Sequence, residues 1–147
     1  MSVASICGPD CGGQLFVHVL GSFALFGSVL AITILALVAL RQGPELAGLL
    51  RRIAFWTALA VSVPAWIVMY FGGYWVLDHE GLDEHTPGWA DGGIMIAHIG
   101  AVLILLVLLL AWLSSKRPRF FGGALAAIAA IDVVLLGAAV FVMSAKP

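Results

Sequence analysis

The sequence predicts an all-α integral membrane protein, an up-down bundle of four transmembrane helices forming a single domain over residues 1–147. Of the 147 residues, 63% are hydrophobic and only 10% are charged, too few charges to cover a soluble domain. Polar segments separate four apolar runs, each long enough for the roughly 20 residues that a helix needs to cross a bilayer. No basic stripe of the kind that binds nucleic acid interrupts this pattern.

The first predicted helix spans 15–40, and the one ionisable residue in it is His18. No Lys or Arg precedes this run, so it lacks the positive segment of a signal peptide, and we expect it in the mature protein. A linker over 41–52 follows, in which Gly43-Pro44 interrupts helical structure. The second predicted helix spans 53–77 and should be kinked, because Pro64 removes one backbone hydrogen bond.

An acidic loop over 78–93 leads to the third predicted helix, 94–113, and a basic turn over 114–119 leads to the fourth, 120–143. Six of the seven Lys and Arg residues lie in the linker 41–52 and in this turn. The positive-inside rule therefore places both segments in the cytoplasm and both termini outside, and we expect a bacterial inner membrane. Short connections make neighbouring helices antiparallel, so the first and third helices run in the same direction and lie diagonally.

Two histidines occupy matching positions, each about one turn inside the outer end of its helix. His18 lies in the first helix and shares a face with Gly21 and Ser28, so its ring should point into the bundle. His98 lies at the same depth in the third helix. Two inward imidazoles at one depth are typical axial ligands of haem b, and Gly21 would leave room for the porphyrin.

Two other interpretations of these histidines remain open. His18 and His98 could form a copper or zinc site, with Met95 as a further ligand. Alternatively, each ring could simply hydrogen-bond a neighbouring helix or water. The acidic loop adds His79 and His85 as candidate metal ligands. It contains neither an EF-hand spacing nor an HExxH zinc signature, so a solvated loop is the simpler interpretation.

Asp132 falls near the middle of the fourth predicted helix. A carboxylate at the bilayer centre costs roughly 2.5–3.5 kcal/mol, so it usually faces a partner or water. We expect Ser28 and Ser62, with the carbonyl group freed by Pro64, to be its partners. Asp132 would then act in a proton or polar relay, or it would hold helices together or pair with another subunit.

Cys7 and Cys11 lie in the segment CGPDC, ahead of the first helix. On the outer side of a membrane a disulfide between them is chemically permitted, and Gly8-Pro9 could supply the turn. Two free thiols are equally compatible with this spacing.

The segment HVLGSFALFG of the first helix, followed by LLRR at the end of the linker, resembles predicted bacterial four-helix membrane proteins of the copper-resistance-D-like type. The resemblance covers the first helix and its linker. It implies a four-helix membrane fold and a connection with copper, and His18 is the position that carries over.

The sequence contains no nucleophile–base constellation and no phosphate-binding loop, which argues against a stand-alone enzyme. We expect a small membrane protein that binds haem b through His18 and His98 and transfers electrons near the outer face, with a quinone as a candidate partner. One alternative is a non-catalytic accessory subunit of a larger membrane complex, or a homo-oligomer. The other is an outward-facing protein that binds copper or another metal.

Overall fold

The computed structural model describes residues 12–81 and 88–144, which form five α-helices: α1 Gly12–Ala39, α2 Pro44–Thr57, α3 Val63–His79, α4 Gly88–Lys116 and α5 Pro118–Ser144. A π-helical turn, Ala58–Ser62, joins α2 to α3, so these three pieces form one continuous helical span. The described residues thus contain four helical spans that are long and apolar enough to cross a membrane. The predicted all-α membrane bundle is confirmed.

The helices extend beyond their predicted bounds at both ends of the bundle. The linker 41–52 is mostly helical, because α2 already begins at Pro44. Proline suits the first position of a helix, since its φ angle is preset and its missing N–H would have no partner there. The acidic loop is also shorter than predicted, because α3 continues to His79 and α4 begins at Gly88.

The spans are arranged in a ring in which each packs against its neighbours in the sequence. α1 packs against α2, α3 and α5, and α4 packs against α5 and α2. α1 and α4 therefore lie at opposite corners, as predicted for the first and third spans. We call the end of the bundle with Arg41 and Lys116 the basic end, and the end with Asp78 and Asp91 the acidic end. Towards the acidic end, α3 and α4 contact each other only sparsely.

The interior consists of two layers of apolar side chains. Towards the basic end it is built mostly from small residues: Ile32, Ala36, Ala54, Ala58, Val107, Ala111, Leu125, Ala126 and Ala129. Towards the acidic end it contains Leu25, Val29, Ala65 and Ile104. In a bilayer, lipid tails are as apolar as the protein interior, so helices associate through close packing of small residues.

The π turn is the local response of the second span to Pro64. Proline has no N–H to donate, and its ring clashes with the carbonyl group four residues earlier, that of Ala60. The i→i+5 hydrogen bonding of the turn accommodates this residue without breaking the span. The turn also directs Ser62 into the interior, where its hydroxyl lies 2.9 Å from that of Ser28 on α1.

α1 and α3 approach so closely that two glycines are needed between them. A Cβ atom on Gly21 of α1 would lie 2.6 Å from the backbone nitrogen of Met69. From the other side, a Cβ atom on Gly72 of α3 would lie 3.0 Å from the Cα atom of His18. Both positions therefore require glycine for steric reasons, and the pair fixes the distance between the two helices.

We predict that Gly21→Ala destabilises the fold by about 1–3 kcal/mol, because the added methyl group forces α1 away from α3. Gly27→Ala is the matched control, since a Cβ atom at Gly27 on the same helix would meet nothing within 4 Å. The control should be neutral or slightly stabilising, because alanine favours helix more than glycine does. Reversible unfolding in detergent measures both variants, and equal effects would contradict the close approach.

Candidate functional site

His18 is half-buried and is bound to α3. Its Nδ1 lies 2.7 Å from the carbonyl oxygen of Met69, and because a carbonyl group only accepts, Nδ1 carries the proton and donates. The ring also lies against Gly73, where a Cβ atom would come within 3.1 Å of Nδ1. The imidazole therefore occupies space left by a missing side chain and links α1 to α3.

His98 is exposed on α4, and both of its ring nitrogens have hydrogen-bond partners. Nδ1 lies 2.8 Å from the carbonyl oxygen of Ile94 on the same helix and donates to it. In the neutral ring Nε2 then accepts, and its partner is the hydroxyl group of Tyr70 on α3, 3.0 Å away. His98 thus connects α4 to α3.

The two histidines both bind α3, but they do not face each other. His18 binds Met69 and His98 binds Tyr70, and these partners are consecutive residues of α3. Successive residues of an α-helix point about 100° apart. The two rings therefore approach different faces of α3, so this helix is the common partner of both histidines.

The arrangement of α1, α3 and α4 gives little support to a haem between His18 and His98. Leu25 of α1 and Ile104 of α4, one to two turns further into the bundle, are 0% and 4% exposed, so the interior there is filled. Gly21, expected to make room for a porphyrin, packs against the backbone of Met69 instead. Iron ligation through Nε2 would leave the Nδ1 hydrogen bonds of both rings in place, and it would require only that His98 give up the hydroxyl group of Tyr70. Haem binding stays a prediction that the geometry does not favour.

The candidate metal ligands are not brought together in the described part of the chain. No group of three or more His, Cys, Asp or Glu side chains there could hold a metal ion. Met95 is 61% exposed on α4, and His79 is exposed at the end of α3. The predicted ligand His85 lies outside the described residues. So do both members of the predicted disulfide, Cys7 and Cys11.

An aromatic cluster that sequence reasoning missed joins α3 to α4 where these helices diverge. The indole N–H of Trp66 donates to the carbonyl oxygen of Ala97 over 3.0 Å. The ring of Tyr70 stacks on Trp66 at 4.8 Å and lies 4.9 Å from Tyr74. We call Trp66, Tyr70, Tyr74 and His98 the α3–α4 seam. Its signal in the sequence is the spacing of four between the aromatic residues, which places them on one face of a helix.

Asp132 of α5 is completely buried, and neither carboxyl oxygen has a hydrogen-bond partner among the described residues. It faces protein, as predicted, but the expected bond to Ser28 or Ser62 is not formed. Ser28 donates to the carbonyl oxygen of Leu25, and the two serine hydroxyls bond to each other. The π turn brings Ser62 to Ser28, which satisfies both hydroxyls without the carboxyl group. Full burial also keeps Asp132 away from the surface where another subunit would contact it.

Comparison of the chain with family models, curated proteins and solved structures gives no match. The resemblance to copper-resistance-D-like proteins, carried by His18 and its neighbours, stays a prediction. The function is therefore inferred from the geometry of this chain alone. That geometry offers two histidines that hold helices together and one buried carboxyl group without a partner.

We predict that Asp132→Val is at least as stable as the wild type, because it removes two buried polar atoms that lack partners, each costing about 1–3 kcal/mol. Asp132→Asn should be less stable than Asp132→Val, since the amide stays polar and unpaired. Ser62→Ala is the control, because the hydroxyl group of Ser62 has a hydrogen-bond partner. Its loss should lower the free energy of unfolding by about 1 kcal/mol. Unfolding in detergent measures all three. A large loss of stability in Asp132→Val would show that the carboxyl group has a bound partner.

Proposed function

We propose that the protein is a non-catalytic accessory subunit that packs against a larger membrane complex. The observation that carries this proposal is that both histidines are used to hold α3 between α1 and α4. The same holds for other polar side chains of the spans: Ser62 binds Ser28 and Trp66 binds the backbone of Ala97. These side chains serve assembly of the bundle, and no pair of them forms a nucleophile with a base.

The α3–α4 seam is the surface best suited to a partner. α3 and α4 pack sparsely there, so the seam depends on two side-chain hydrogen bonds instead of a continuous interface. Tyr74 is 42% exposed, and the neighbouring Met95 is 61% exposed. Aromatic and polar side chains on an otherwise apolar surface are the groups through which transmembrane helices bind one another. A partner helix lying along the seam would cover His98.

The second candidate is the haem b electron-transfer protein, with a quinone as its partner. The contacts of His18 and His98 with consecutive residues of α3 support it. It requires a space for the porphyrin to open between α1 and α4, and the Nε2 atom of His98 to give up the hydroxyl group of Tyr70. The accessory subunit requires no such rearrangement, so we place it first.

Crosslinking in native membranes tests the accessory subunit. A photoreactive phenylalanine analogue in place of Tyr74 should give one crosslinked product of defined mass, because this side chain borders the seam. The analogue in place of Phe16 is the matched control, an aromatic residue 64% exposed at the acidic end of α1. It should give little product. A product with the mass of two 15.4 kDa chains would indicate a homo-oligomer instead.

The visible spectrum of the same protein, extracted in mild detergent, separates the two candidates. The accessory subunit should show no Soret band and no stoichiometric copper or zinc. A Soret band that is lost in both His18→Ala and His98→Ala would overturn the proposal and place haem ligation first. Stoichiometric metal without a Soret band would instead support the metal-binding protein.

A further inference from the structure

A buried arginine lies at the basic end, where three spans meet. Arg51 of α2 is only 7% exposed. A Cβ atom on Gly122 of α5 would lie 3.2 Å from its Nη2 atom and 3.6 Å from its Nε atom. The same Cβ atom would lie 3.3 Å from the side chain of Leu40, the residue that follows α1. The guanidinium group of Arg51 therefore lies against α5 and near Leu40, in a space that depends on glycine at position 122.

Arg51 has no ion pair or hydrogen bond within the described residues. A guanidinium group carries a full charge and five N–H donors, so its burial is costly unless an acceptor is present. The other buried charged residue, Asp132, is ten positions beyond Gly122 on α5, which is about 15 Å along the helix. The carboxylate nearest in sequence, Glu45, is exposed in the first turn of α2. The nitrogen atoms of Arg51 are not among the fully enclosed side-chain atoms that lack a partner, so an acceptor from outside the described residues can reach them.

The surroundings of Arg51 favour an anion at the level of lipid headgroups. This end of the bundle has one acidic residue, Glu45, and six basic residues: Arg41, Arg51, Arg52, Lys116, Arg117 and Arg119. The ammonium group of Lys116 lies 3.9 Å above the ring of Trp112, a pairing suited to the membrane interface. α5 also begins here, at Pro118, and the amino end of a helix attracts negative charge.

We propose that Arg51, in the space bounded by Gly122 and Leu40, binds the phosphate group of a membrane lipid. The planar guanidinium fork matches two phosphate oxygens at once, which a lysine cannot do. Gly122 leaves room for the guanidinium group beside α5, and Leu40, which is 49% exposed, offers an apolar surface to the acyl chains. The site joins three spans, so a bound lipid stabilises the basic end of the bundle. It is independent of the accessory role proposed above.

Native mass spectrometry of the purified full-length chain tests this site with phosphatidylglycerol, and with diacylglycerol as the phosphate-free control. Arg51→Gln should weaken binding of phosphatidylglycerol by about tenfold, because a charge-assisted bidentate contact is lost. Arg52→Gln is the matched control: the neighbouring arginine is exposed, and its loss should change binding less than twofold. Equal losses of phosphatidylglycerol binding in both variants would overturn the proposed site. They would indicate that the basic end attracts anionic lipids without a specific contact.

Two further measurements keep the proposal testable if Arg51→Gln fails to fold. Gly122→Ala should also weaken phosphatidylglycerol binding, because its Cβ atom displaces the guanidinium group. The wild type itself should unfold at a higher temperature with phosphatidylglycerol than with diacylglycerol. Equal stabilisation by both lipids would refute a phosphate site. Displacement of the lipid by millimolar inorganic phosphate would refute the lipid assignment and identify a site for a free anion.

Discussion

The close contact between α1 and α3 is the constraint on which the rest of the bundle depends. Gly21 and Gly72 bring the two backbones together, and this distance lets His18 reach the carbonyl oxygen of Met69. Lipid is as apolar as a protein interior, so such packing and the hydrogen bonds it permits hold transmembrane helices together. With α3 fixed on α1, its opposite aromatic face is presented to α4, and the seam through Tyr70 and His98 follows.

Two buried charged residues are not accounted for by the contacts between the helices. Several polar side chains inside the spans, among them His18, Ser62 and Trp66, bind a neighbouring helix, which is the usual way of offsetting burial in a membrane. Asp132 in the middle and Arg51 at the basic end are buried without such a partner among the described residues. They are too far apart to neutralise each other, so each requires a separate explanation. The lipid phosphate proposed above would pair with Arg51, whereas Asp132, about 15 Å along α5 from Gly122, is too far away to share it.

The sequence predicted the number of spans and their order, because length and hydropathy determine these features. It did not predict the direction of the two histidine rings. Helical periodicity places His18 and Gly21 on one face, and in the structure that face packs against α3. The predicted hydrogen bonds from Asp132 to Ser28 and Ser62 were also wrong, because the π turn before Pro64 places Ser62 against Ser28. Such features depend on how helices are rotated against each other, which one span cannot reveal.

The most direct measurement of the central claim is solid-state NMR of the protein in lipid bilayers, with ¹⁵N-labelled histidine and a ¹³C-labelled carbonyl group at Met69. The hydrogen bond predicts a protonated Nδ1 in His18 and a through-space correlation between this nitrogen and the labelled carbon. The correlation should persist in Gly27→Ala and disappear in Gly21→Ala, which separates the helices. A wild-type spectrum without it, with His18 shifts typical of a metal-bound imidazole, would contradict the account.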